Sequence, residues 1–138
     1  MADTFKIIGE AKRRVDGRGK VTGKAKFAED YDVAHQLWGT VVRSSHPHAL
    51  IKRIDVSRAV ALDGVEVVLT AKDIPGSKMF GIVVKNQQIL AEDRVRYLGD
   101  GIVLIAARTR TIAETARELV TIEYELLPVV SDPEEALK

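Results

Sequence analysis

The chain has 138 residues, 46% of them hydrophobic and 30% charged, a balance that suits one globular domain with a core of its own. Its 21 Lys and Arg against 20 Asp and Glu leave a net charge of +1, without the clustered basic excess of a nucleic-acid module. Cysteine is absent, which excludes disulfides, iron–sulfur ligation and thiol catalysis by this chain. The first residues carry no apolar core for a signal peptide, and no run of about 18 apolar residues occurs. A soluble cytoplasmic protein that binds neither nucleic acid nor membrane is expected.

Residues 1–30 are polar and glycine-rich and read as an arm with little regular structure, leading into a domain over residues 31–138. Within the arm, "GRGKVTGKAKFAEDY" (residues 17–31) looks at first like a phosphate-binding loop. Such a loop needs four residues between its glycine and Gly-Lys-Ser/Thr, with the hydroxyl on magnesium. Here Gly19 is followed by three residues before Gly23, and Lys24 is followed by Ala25. The stretch reads instead as a solvated, turn-rich segment.

From residue 37 the texture changes. "LWGTVVR" (residues 37–43) is rich in β-branched residues and predicts a strand. After "SSHPH", "ALIKRIDV" (residues 49–56) predicts a second one. Its alternation is imperfect, because Leu50 points opposite to Ile51 while Ile51 shares a face with Arg53. Asp55 or Ser57 can cap a short helix over "SRAVALD" (residues 57–63), since each offers an oxygen to free first-turn amides. Gly64 ends it, being free to turn left-handed. "VEVVLT" (residues 65–70) is almost continuously β-branched and predicts a buried strand, followed by a turn around Pro75 and Gly76.

"GIVLIAART" (residues 101–109) is the most apolar run and predicts a central strand. "TIAETAREL" (residues 111–119) predicts a helix, with Thr111 as cap and Glu114 at capping-box spacing. "VTIEYEL" (residues 120–126) places Val120, Ile122, Tyr124 and Leu126 on one side of a half-buried strand. "DPEEALK" predicts a last short helix with Asp132 as cap and Pro133 at its first position. The expected class is α/β (α+β), with two strand–helix–strand units, a mixed sheet and few short helices. Residues 73–99 form a long irregular connection that invites a functional explanation.

Motif chemistry is sparse. His46 and His48 share one face of an extended chain, but only His35 could join them, and no carboxylate stands at ligand spacing. A hydrogen-bonded turn is the expected role. Ser44 and Ser45 adjoin His46, yet neighbours in an extended chain point apart, and no Gly-x-Ser-x-Gly elbow exists. "YLGDGI" (residues 97–102) precedes a strand instead of following one, so it is not a dinucleotide fingerprint. No catalytic, metal-binding or cofactor-binding residue is assigned.

Taken in order, three segments carry a resemblance. "KVTGKAKFAEDY" resembles the entry segment of the α/β-hammerhead domain of molybdenum hydroxylases. "VRSSHPHALIKRIDVSRAVALDGVEVVLTAKDIPG" is similar to its first half, and "LAEDRVRYLGDGIVLIAARTRTIAETARELVTIEYELLPVVSDPEEAL" to its second. The likeness runs over residues 12–138. The family includes xanthine dehydrogenase, aldehyde oxidase and carbon monoxide dehydrogenase, and the hammerhead opens its large, molybdopterin-binding subunit.

The resemblance implies the α/β-hammerhead fold and a parent oxidoreductase with a molybdenum–molybdopterin cofactor. The catalytic molybdenum domain is then expected downstream or on a separate chain, with iron–sulfur clusters and FAD on partner domains or subunits. This chain would be a scaffold, inactive alone, docked on the molybdenum domain through an exposed apolar face by which an isolated copy could self-associate. The arm would lead into the hammerhead, with Phe27 and Tyr31 anchoring it. In "FGIVV" (residues 80–84), Ile82 and Val83 become candidates for lining the substrate channel, against an ordinary strand-core role. The other reading is a stand-alone binding or assembly module that shares the fold.

Overall fold

The computed structural model describes residues 8, 9 and 11–137. The chain divides into two compact units, Met1–Gln36 and Leu37–Lys138.

The first unit contains more regular structure than its composition suggests. Helix α1 (Gly17–Val21) follows Asp16, and a 3₁₀ turn spans Ala28–Asp30. Asp16 receives Arg14 Nε at 2.5 Å and Lys20 Nζ at 2.8 Å, and these cations, Arg14 foremost, hold its carboxyl below the usual carboxylate range. The local charge pattern therefore supports a turn that the glycines alone would not. Phe27 and Tyr31, expected as apolar anchors, are both exposed, and Lys26 Nζ lies 5.6 Å from the Tyr31 ring centre.

The second unit holds two three-stranded antiparallel sheets and a two-stranded ribbon. Strands β1 (Trp38–Arg43) and β2 (Ala49–Asp55) are followed by helix α2 (Ser57–Val60) and strand β3 (Val65–Leu69). Three two-residue strands come next: β4 (Met79–Phe80), β5 (Gln87–Gln88) and β6 (Arg94–Val95). Strand β7 (Gly101–Ala107), helix α3 (Arg110–Leu119) and strand β8 (Thr121–Leu126) complete the core. One sheet has the order β1-β7-β3, the other β6-β2-β8, and β4 pairs with β5.

Both expected strand–helix–strand units are present, and each starts in one sheet and ends in the other. The strands are thus shared between antiparallel sheets where one mixed sheet was expected. The connection over residues 56–64 is shorter than the dozen or so residues that a parallel return needs, so β3 joins the neighbouring sheet.

Strand β7 is central, as its composition predicts, with Ile102, Val103 and Ile105 buried. Beside them lie Val95, Ala49, Ala59 and Ala116, with Ile51, Ile54, Val65 and Ile122 packed against the cluster. Ala113 and Ala116 are the buried residues of α3, small enough to let it lie close to the sheet.

Four local features differ from expectation. The register of β2 on β8 slips between Ile51 and Arg53, leaving Lys52 as the extra residue of a bulge. The bulge puts Ile51 and Ile54 on the same side and explains the imperfect alternation. Strand β3 is an edge strand and mostly exposed, not buried, despite its β-branched run. The cap of α3 is Thr109, whose hydroxyl oxygen accepts the Ile112 amide at 3.3 Å. Thr109 is extended, so the helix starts at Arg110, Thr111 falls inside the first turn, and Glu114 accepts from Arg110 Nε at 2.9 Å. The expected last helix is only a 3₁₀ turn over Glu135–Leu137, although Asp132 Oδ1 does accept the amides of Glu134 and Glu135 at 2.8 and 3.0 Å.

The helix expected over residues 57–63 is a single turn, Ser57–Val60, which ends well before Gly64 and has Val56 at its N-cap. Asp55 Oδ1 accepts the Ser57 amide at 3.0 Å and the Ser57 hydroxyl at 2.5 Å at the start of α2. Gly64 sits at φ +86°, where a Cβ would also stand 2.7 Å from Ile112 Cδ1.

Candidate functional site

The irregular connection contains a small projecting hairpin. Met79 faces Gln88 and Phe80 faces Gln87 across β4 and β5, and the Ile89 amide donates to the Lys78 carbonyl at 3.0 Å. The two strands are joined by Gly81 to Asn86, a loop tightened by the Asn86 amide on the Val84 carbonyl at 3.0 Å. At Gly81, φ is +151° and a Cβ would collide with the Val84 carbonyl oxygen, so the loop needs glycine there. Its outermost residues are Ile82 and Val83, 104% and 93% exposed. The strand-core alternative for this pair is therefore removed: neither residue packs in the core.

Below the hairpin lies an open cleft of about 380 Å³, lined by Phe80, Asn86, Gln88, Arg96, Tyr97 and Asp100. Its floor is well fixed. Arg96 donates to the Asn86 carbonyl at 2.9 Å, and the Arg96 amide donates to Asp100 Oδ2 at 3.2 Å. Asp100 is buried, and its carbonyl accepts the amide of Ser44, the residue that follows β1, at 2.8 Å. Next to it, the Gly99 carbonyl accepts from Arg43 at 2.9 Å. Partial burial, followed by the Asp100 carboxylate, pushes the Tyr97 hydroxyl above its usual pKa. The Gln88 carbonyl oxygen, Oε1, is buried with no hydrogen-bond partner. Sequence reasoning singled out neither Gln88 nor Asp100, because glutamine and aspartate in a polar, aperiodic stretch look like any solvated loop residues.

The serine and histidine cluster is structural. The Ser44 hydroxyl donates to the His46 carbonyl at 2.7 Å and accepts the His46 amide at 3.0 Å, so it faces backbone and not an imidazole. The His46 ring meets Tyr124 edge-on at 4.9 Å. Burial raises the pKa of the Tyr124 hydroxyl, partly offset by its hydrogen bond with Ser44. His48 Nδ1 donates to the Pro128 carbonyl at 2.6 Å. His35 belongs to the first compact unit.

Among the described residues no group of three His, Cys, Asp or Glu converges. Among the described residues, no helix is long and apolar enough to cross a membrane.

Residues 22–128 match the family model for the aldehyde oxidase and xanthine dehydrogenase a/b hammerhead domain. A probable xanthine dehydrogenase subunit of Bacillus subtilis is 48% identical over 96% of this chain and 18% of its own length. The nicotinate dehydrogenase large molybdopterin subunit of Eubacterium barkeri is 43% identical over 100% of this chain and 32% of its own. Among solved structures, the Cu,Mo-CO dehydrogenase in its carbon monoxide reduced state superposes with a TM-score of 0.88 at 37% identity. That superposition covers 94% of this chain and 17% of the neighbour. The chain thus spans less than a third of the length of each of these proteins. By the sequence match and by the shared fold, this chain belongs to the aldehyde oxidase and xanthine dehydrogenase hammerhead family.

Proposed function

We propose that this chain is the hammerhead portion of a molybdenum-dependent oxidoreductase, docked as a scaffold on the molybdenum-bearing portion of the large subunit. Ile82 and Val83 form part of the wall of that enzyme's substrate channel. The molybdenum–molybdopterin cofactor is held by the other portion, with iron–sulfur clusters and flavin on further domains or subunits. The chain alone has no turnover, and the assembly is cytoplasmic.

The observation that carries this reading is the hairpin tip. Two fully exposed aliphatic residues on a glycine-shaped loop cost solubility and contribute nothing to the core, so their use lies in contact with something else. An apolar wall selects by shape, and the polar contacts that name a substrate would come from the partner.

The first test is capture of the chain from its native cells, with polypeptide mass and molybdenum content measured together. Molybdenum in the captured species is expected; its absence would leave the stand-alone module as the better reading. The second test is Ile82→Ala with Val83→Ala in the assembled enzyme. KM should change unevenly across substrates of different width while molybdenum content stays constant. Unchanged kinetics across the series would remove the pair from the channel.

A further inference from the structure

The hairpin that carries Ile82 and Val83 is too short to set its own direction. Its ladder is two residue pairs, Met79 with Gln88 and Phe80 with Gln87, and an isolated ribbon of that size is not stable in water. Two side-chain contacts tie it to the body. At the foot, just before β4, Lys78 Nζ meets Glu92 Oε2 at 2.7 Å, an exposed pair that water screens. Arg96 reaches the loop itself, donating from Nη1 to the Asn86 carbonyl at 2.9 Å.

Asn86 is the residue that closes the loop. Its amide donates to the Val84 carbonyl at 3.0 Å, the same oxygen that a Cβ at residue 81 would strike. Ile82 and Val83 lie between those two points. The base from which Arg96 reaches is rigid. Val95, just before it, is fully buried and pairs with the fully buried Ala49. The Arg96 amide donates to Oδ2 of the buried Asp100 at 3.2 Å. Arg96 also lines two clefts, one against Met79 and one against Phe80, residues that point to opposite faces of the ribbon.

We infer that Arg96 is a positioning residue for specificity. By holding Asn86 it sets how far Ile82 and Val83 project, and with that the width of substrate the channel admits. The inference rests on the function proposed above. Acting only through the tip, Arg96 bears on substrate choice and not on the chemical step. A guanidinium suits the task, because it presents a rigid fork of donors at the end of a long stem.

The test uses the assembled enzyme and substrates of different width. Arg96→Met keeps the length of the side chain without its donors, whereas Arg96→Lys keeps a donor and the charge. Arg96→Met should change the KM ratio between the widest and narrowest substrates by about threefold or more, the lower end of what one hydrogen bond contributes. Its kcat and molybdenum content should stay at the parent values. Arg96→Lys should bring the ratio most of the way back. In the Ile82→Ala, Val83→Ala background, Arg96→Met should add no further change, because both act through the same tip. Arg96→Gln, too short to reach Asn86, takes the place of Arg96→Met if that variant fails to assemble. A parent-like ratio without the Arg96 donors, beside an altered ratio in the tip pair, would overturn the inference and leave the proposed function standing. An equal fall in kcat for every substrate, or lost molybdenum, would overturn it in favour of a general structural role. A parent-like ratio in the tip pair itself would remove the channel wall and this inference with it.

Discussion

Strand β7 and the loop between β4 and β5 are both written in glycine, isoleucine and valine, yet they lie at opposite extremes of exposure. Ile102, Val103 and Ile105 are buried between two neighbouring strands, while Ile82 and Val83 project from a hairpin only two residue pairs long. Apolar composition did not decide the outcome; backbone pairing did. β7 has a ladder on each side, so its amides are satisfied and its side chains enter the core. The tip has no ladder partner, and Gly81 bends it away from any strand geometry. One region makes the domain stable, and the other is free to be shaped for contact.

That contrast can be broken most forcefully from the buried side. Ile105→Ala should lower stability by about 3 kcal/mol through lost burial and an unfilled cavity, measured by urea unfolding. A loss as small as a surface change would mean that β7 is not the centre of the core. Gly64→Ala comes next, at about 2 kcal/mol, because it combines an unfavourable positive φ with an overlap on Ile112. Pairing it with Ile112→Val should recover part of the loss, and no recovery would rule out the overlap.

A smaller effect is expected at the junction where β3 leads towards the hairpin. The Thr70 amide, at 2.7 Å, and then the Thr70 hydroxyl, at 2.8 Å, hold the Asp73 carboxyl below its usual pKa. A depressed carboxylate stabilises the fold above its unfolded pKa of about 3.9 and loses that contribution as pH falls through its lower folded value. Asp73→Ala should therefore be less stable than the parent at neutral pH, with the gap narrowing on acidification. A gap independent of pH would sever the link to ionisation. Smallest of all, Ile82→Ser with Val83→Ser should shift stability by less than about 0.5 kcal/mol. A larger drop in melting temperature would show that the tip does help to hold the domain together.

Much of the fold was legible in the sequence because local signals agreed with one another. The apolar run of β7 and the alternation of Ile122 and Tyr124 in β8 each pointed to the structure that formed. What was missed depended on neighbours. The run of β-branched residues in β3 looks buried in isolation, yet Val67 and Leu69 stand on the sheet face opposite Ile105 and are partly exposed. The Thr109 cap was overlooked because Thr111 and Glu114 have the better local pattern; the extended backbone at Thr109 decided otherwise. For the candidate site, Ile82 and Val83 were marked by family resemblance, since nothing in their composition separates them from core residues. Gln88 and Asp100 gave no signal at all, because the buried Oε1 of Gln88 and the buried Asp100 arise only from tertiary packing.

The exchange of strands between the sheets also bears on how the protein is made. Among the described residues, β1 and β3 have no ladder partner except β7, and β2 gains its long partner only with β8. During synthesis, roughly the first hundred residues therefore leave the ribosome before either sheet can close, so the pairings that define the fold are all late and non-local. A nascent chain halted before Gly101 would hold β1 and β3 unpaired, with β2 held only by the two-residue β6. Such a chain is a natural client for chaperones until β7 emerges.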